Sequence, residues 1–246
     1  MDYNKHKFMM LQILRDIYSN LLLANSLGFK GGTALMLFHR LPRFSIDLDF
    51  DLIHADKEKE ALIYKIIRDI LLKYGTIDDE ALKFFGPILV LNYGKGERKL
   101  KVEISNRQFG SHYEVKTYMG INMLVMTLAD MFAHKLCALL DRNELANRDI
   151  FDSWFFMENR TSINKIIIEN RMKVPFSDYL RMCIEEINNL KNRSLLNGIG
   201  DLIDDKMKHF VRTKLHSETI TLLNFYKEFP IFERGLLGPD DGGFFH

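Results

Sequence analysis

The chain of 246 residues is 47% apolar and 27% charged, the balance of a soluble globular protein with core enough for one large domain or two modest ones. Its net charge of +1 excludes a global basic field that would gather polyanions, while leaving room for a local patch. Cys137 and Cys183 are the only cysteines, which excludes a disulfide framework or a zinc cluster and fits reduced thiols in a cytoplasm. No apolar run approaches ~18 residues and no signal-peptide pattern opens the chain, so neither a membrane span nor export is expected.

Phe8, Leu11, Leu14, Ile17, Tyr18, Leu21 and Leu22 recur at helical spacing, which predicts an amphipathic helix over residues 5–26 stopped by Gly28. Gly31-Gly32-Thr33 then lies between a short apolar piece and a helix-like run, Ala34 to Arg40. A small-residue turn feeding a helix N-terminus offers free backbone N–H groups to an anion such as phosphate. It is no Walker A loop, since G-x-x-x-x-G-K-[ST] is absent and Lys30 precedes the glycines. Alone, the tripeptide reads equally as an ordinary turn with a threonine cap. After Pro42 the chain alternates strictly: Ile46, Leu48, Phe50 and Leu52 are apolar, and Asp47, Asp49 and Asp51 fall between them. A period of two puts the acids on one strand face, where they repel each other and suit a hard divalent cation, Mg²⁺ or Mn²⁺. The plainer alternative is a half-buried edge strand with a solvated polar face. Asp51 reads as a surface passenger.

Residues 55–74 predict a second helix, ended at Gly75. Ile88 to Tyr93 and Leu100 to Ser105 predict two strands joined through Gly94 to Glu97. Glu103 stands on the polar face of the second, where it could supply a third carboxylate beside the Asp47 strand. Glu114 to Gly120 predicts one more strand. From Thr127 onward the pattern is helical to about Phe229, with Thr127 and Asp130 spaced as a capping pair. The organisation is therefore α+β, a mixed domain over residues 1–122 followed by an all-helical domain over 123–246. In the helical part Lys135 and Arg142 share a face, and Arg148, Asp149 and Asp152 follow. These groups serve either a nucleotide's phosphates or a salt-bridge network between helices. Between Arg160 and His216 there are 11 Lys/Arg against 7 Asp/Glu, a surplus that could flank a polyanion or be a solvated surface. The Gly198–Asp201 region predicts a loop, and Asp240 to Gly243 a fraying tail.

Taken in order, these motifs resemble the nucleotidyltransferase superfamily shared with DNA polymerase beta: a glycine turn, an acid-x-acid strand, a lone acid on a later strand. More narrowly they resemble the AbiEii/AbiGii abortive-infection toxins, through Gly31 to Leu35, Arg43 to Phe50, Lys135 to Leu139 and Arg148 to Asp152. The resemblance implies a nucleotidyltransferase-fold first domain, with the helical domain completing a nucleotide and acceptor cleft. It implies transfer of an NMP from an NTP, with Asp47, Asp49 and Glu103 holding two Mg²⁺ ions roughly 3.5–4 Å apart. Gly31 and Gly32, with the Thr33 and Ser45 hydroxyls, would cradle the phosphates, neutralised by Arg43 or Lys135, while Asp149 and Asp152 orient that lysine or a base. The implied acceptor is RNA, a tRNA 3′ end, and the implied partner a co-encoded antitoxin. Two competing readings are a metal-dependent transferase using a nucleotide-sugar and a non-catalytic toxin module acting by protein contacts.

Overall fold

The computed structural model describes residues 2–53, 56–142, 144–190 and 194–232, so Ala55 and the 240–243 tail lie outside the described residues. Helix α1 (Tyr3–Ser19) is capped by Asp2 and buries Ile13, Leu14 and Ile17. The single helix expected to Gly28 is two. Asn20 ends α1 and turns its side chain onto the Leu23 amide to start α2 (Leu21–Ala24), since a short amide side chain competes with the helical ladder. Gly28 lies instead in strand β1 (Leu27–Lys30), where a Cβ would meet the Tyr113 ring at 2.2 Å.

Helix α3 (Gly31–His39) follows directly, then β2 (Leu48–Leu52), α4 (Lys57–Leu72), β3 (Thr76–Lys83), β4 (Gly86–Asn92), β5 (Leu100–Ser105), β6 (Tyr113–Tyr118) and β7 (Ile121–Met126). The strands form one mixed sheet in the order β3-β4-β5-β2-β1-β7-β6. Strand β2 runs antiparallel to β1 and parallel to β5. Leu48, Phe50 and Leu52 are fully buried with Leu100, Val102 and Ile104 of the neighbouring strand, so the opposite face carries the polar residues of both. Besides β1, read only as a short apolar piece, two strands have no counterpart in the sequence reading. β3 is an edge strand whose Asp78, Asp79 and Glu80 break any apolar alternation. β7 pairs with β6 through a tight turn at Met119 and Gly120, both at positive φ as such hairpins require.

The chain divides into two compact units, residues 1–108 with 112–126, and residues 109–111 with 127–246. The division follows Met126, because residues 121–126 are strand β7 and pair within the sheet; a boundary at 122/123 would cut that strand. The second unit is helical: α5 (Leu128–Cys137), α6 (Asn147–Glu158), α7 (Lys165–Met172), α8 (Phe176–Asn188), α9 (Asp205–Thr213) and α10 (Leu215–Glu228). Its core stacks Phe132 on Phe156 with ring centroids 4.9 Å apart, and the buried Tyr179 and Tyr226 hydroxyls donate to the Leu136 and Thr161 carbonyls. Cys137 and Cys183 are core residues whose thiols burial pushes up to about 12. Thr127 occupies the capping position before α5 as expected, but its hydroxyl makes no capping bond. Asp130 is fully buried and instead accepts from Asn164 Nδ2 at 2.7 Å, a partner from a distant turn that sequence spacing does not show.

Candidate active site

Register places the acids. Strands β2 and β5 run side by side with Asp49 opposite Glu103 and Asp51 opposite Ser105. Asp47, immediately before β2, stands one pleat earlier on the same face, as does Lys101 on β5. Two buried side chains hold the backbone that delivers Asp47. His6 Nε2 of α1 donates to the Ile46 carbonyl at 2.9 Å, and the Thr33 hydroxyl donates to the Asp47 carbonyl. Thr33 is therefore committed to positioning the acidic strand, a different task from the phosphate contact expected of it; its side chain points inward from the first turn of α3.

The glycine turn is packed against the acids. Gly31 has φ +79°, and a Cβ there would meet Asp49 Oδ2 at 2.5 Å. A Cβ on Gly32 would meet both the Arg43 guanidinium and Ser45 Oγ at 2.7 Å. Gly31 is required by its backbone angle, and a side chain at Gly32 would displace Arg43 and Ser45. Lys30 precedes α3 with no side-chain capping bond, and the amides of a helix's first turn suit an anion. Arg43 and Ser45, both buried, thus converge with those amides on one side of Gly32, which is the composition of an anion cradle.

Electrostatics bind the carboxylates into one group. Burial raises the Asp49 pKa; Lys101 and Lys30 oppose that rise, and the charges of Asp47 and Glu103 add to it. Glu103 moves the other way. Burial pushes it up, but the Lys101 ammonium at 2.8 Å, with Lys30 and Arg107, outweighs burial and holds it down. Lys101 itself is raised: burial lowers it, and Asp49, Glu103 and Asp47 more than compensate. Among the described residues no three carboxylate, imidazole or thiol side chains close on a single point as they stand. The ammonium of Lys101 provides the counter-charge on Glu103. The donor set of hard oxygens, mutually repelling and already drawing a cation among them, fits a divalent metal held by Asp47, Asp49 and Glu103.

Asp51 is no surface passenger. It is 5% exposed, accepts from the Tyr113 hydroxyl at 2.8 Å and is ion-paired to Lys30. Sequence reasoning missed Lys30, Lys101 and Tyr113. Strand parity signals the two lysines, since Lys101 is two residues from Glu103 and Lys30 lies opposite Asp49; nothing local signals Tyr113.

The second unit assembles the other predicted cluster. Lys135 of α5 sits 2.7 Å from Asp152 Oδ2 and 3.5 Å from Asp149 Oδ1, both acids of α6 being fully buried. Arg142 Nε lies 2.8 Å from Asp149 Oδ2, an ion pair without hydrogen-bond alignment. Both acids therefore spend their charge on Lys135 and Arg142, and the interhelical network is real. Among the described residues no helix is long and apolar enough to cross a membrane.

Solved structures share this fold. JHP933 from Helicobacter pylori matches at 20% identity and TM-score 0.53 over 93% of each chain. Another H. pylori crystal structure, of a putative nucleotidyltransferase, matches at 20% identity and TM-score 0.55 over 92% of this chain and 95% of that one. MenT4, a nucleotidyltransferase toxin from Mycobacterium tuberculosis H37Rv, matches at 17% identity and TM-score 0.58, covering 88% and 82%. No curated protein matches the chain. The family model of AbiEii, the nucleotidyl transferase toxin of type IV toxin–antitoxin systems, matches residues 12–220, across both compact units. The chain belongs to the AbiEii family: it is a nucleotidyltransferase toxin of a type IV toxin–antitoxin system.

Proposed function

We propose that the chain transfers an NMP from an NTP to a hydroxyl of an RNA acceptor, a tRNA 3′ end, in a Mg²⁺-dependent reaction. The observation that carries this reading is the pairing of Asp49 with Glu103 across β2 and β5, with the Gly31 turn packed on the Asp49 carboxylate. An anion cradle and a carboxylate cluster then adjoin, which suits the phosphates of a nucleotide at one and the reacting phosphorus at the other.

Asp47, Asp49 and Glu103 would hold the divalent ions. Bound Mg²⁺ supplies Lewis-acid polarisation of the phosphoryl oxygens and lowers the pKa of a coordinated hydroxyl. The amides at the start of α3, with Ser45 and Arg43, bind the outer phosphates and keep them from rotating. Thr33 and His6 fix the backbone under Asp47 and so set where the first carboxylate points. Lys101 is the counter-charge on Glu103, the carboxylate that would ligate a metal. In the helical domain Asp149 and Asp152 hold Lys135, the residue expected to meet a nucleotide's phosphates. A co-encoded antitoxin is the expected protein partner, and the cytoplasm the place of action.

Incubating the purified chain with each labelled NTP, Mg²⁺ and total bacterial RNA tests this directly. Label should enter RNA with release of pyrophosphate, and chelation should stop it. Label entering protein and no RNA would move the acceptor from RNA to a protein.

A further inference from the structure

The turn between β3 and β4 carries the most exposed aromatic pair described in the first unit. Phe84 is 89% exposed and Phe85 52%, with Leu82 beside them at 63%. Large apolar side chains at a hairpin tip cost solubility unless something covers them. This tip is also fixed in place. The Asn106 amide donates to the Phe85 carbonyl at 3.1 Å, and Asn106 Nδ2 reaches both the Phe84 carbonyl and Glu60 Oε2 at 3.2 Å. Gly86 packs so closely that a Cβ would sit 2.1 Å from the Ile104 carbonyl oxygen. The aromatic pair is thus tied to the end of β5, the strand that carries Glu103. Asn106 is three residues past Glu103, roughly 10 Å along the strand.

Two cations, Arg107 and Lys83, flank the rings, and the Glu60 carboxylate stands behind them on Asn106. The Arg107 guanidinium lies over the Phe85 ring, 5.0 Å from its centroid, and Phe84 meets the same ring edge-on at 5.0 Å. Residues 81–88 contain Lys83 and no acid, and Lys83 is exposed. The Arg107 Nε reaches Ser105 Oγ at 3.5 Å, so the basic group is anchored to the end of the strand that carries Glu103. Open π faces interleaved with Lys and Arg are what single-stranded nucleic acid uses: bases stack on the rings while cations take the phosphates. A protein partner would favour a broader apolar surface than two rings and a leucine flanked by Arg107 and Lys83.

We propose that Phe84 and Phe85, with Arg107 and Lys83, form a stacking platform for the unpaired bases of the acceptor RNA, holding its 3′ end against the Asp49–Glu103 site. This rests on the reading of an RNA acceptor above. Phe84 takes a base on its open face. Arg107 braces Phe85 from one side and leaves its charge available to a phosphate.

The test is fluorescence anisotropy of a 5′-labelled single-stranded octaribonucleotide with the full chain, without NTP, at low salt. Phe84→Ala should weaken binding about tenfold or more, Phe84→Trp should restore it, and a blunt RNA duplex should bind both proteins alike. Equal affinity of wild type and Phe84→Ala for the single strand overturns the platform, as does failure of the wild type to bind it. Labelling of RNA from NTP, measured in parallel, separates the two ideas. If wild type labels RNA and Phe84→Ala does so with an unchanged KM for RNA, the platform falls and the acceptor reading stands. If wild type labels no RNA, the acceptor reading falls and takes the platform with it.

Discussion

At residue scale the site depends on two atoms that are absent. Gly31 and Gly32 leave the space that Asp49, Arg43 and Ser45 fill, and Gly31 also holds a backbone angle that other residues resist. Gly31→Ala should move the Asp49 carboxylate by a fraction of an ångström or more and cost transfer on the order of 100-fold, with little change in circular dichroism. Wild-type turnover by Gly31→Ala would show that this contact does not set the Asp49 position. The carboxylates themselves pull against stability. Asp49→Asn removes a half-buried charge that Asp47 and Glu103 repel, so in metal-free buffer the variant should unfold at higher urea, by about 1 kcal/mol, while losing transfer. The alternation of residues 46–52 makes the shared face of the acids legible from sequence alone. It says nothing of depth, which is why Asp51, second from the end of β2, is buried under Tyr113 where the pattern suggested a surface position.

At the scale of elements, helices with a clear apolar stripe and strands with strict alternation are the ones that sequence shows. α4 and β5 lie where periodicity puts them, within a few residues. β3 escapes because an edge strand needs no apolar face, and α1 divides because Asn20 takes a capping role that no period displays. The α5–α6 network gives a stability test. Lys135 is ion-paired to the fully buried Asp152 and shares the fully buried Asp149 with Arg142, so Lys135→Ala should lower the unfolding free energy by roughly 3–5 kcal/mol, and Asp149→Asn with Asp152→Asn should recover much of it. An unchanged urea midpoint in Lys135→Ala would mean the network carries no structural weight. At the end of α3, burial and the Lys116 charge hold His39 down to about 4. An unfolded histidine titrates near 6.5, so its contribution is whole above that pH and drains as pH falls toward 4. His39→Leu should flatten the decline of the urea midpoint between pH 6.5 and 4.5; an unaltered slope would assign the decline to other groups.

For the whole molecule, the order of motifs is the informative property. Each of the glycine turn, the acid-x-acid strand and the lone Glu103 is commonplace alone, and the parallel pairing of β2 with β5 is what makes them one site. That pairing joins residues more than 50 positions apart, so spacing could suggest it but not fix its register. A net charge of +1 adds a constraint on any RNA partner. Affinity must come from local cations, and it should fall at least tenfold between 50 and 200 mM salt if several phosphates are held. The measurement that bears most directly on the whole account is single-turnover transfer by Glu103→Gln, which keeps the side chain's size and removes its charge. A folded Glu103→Gln protein should lose transfer by roughly three orders of magnitude, the scale of removing one transition-state charge partner. The same protein turning over at the wild-type rate would contradict a three-carboxylate centre on β2 and β5.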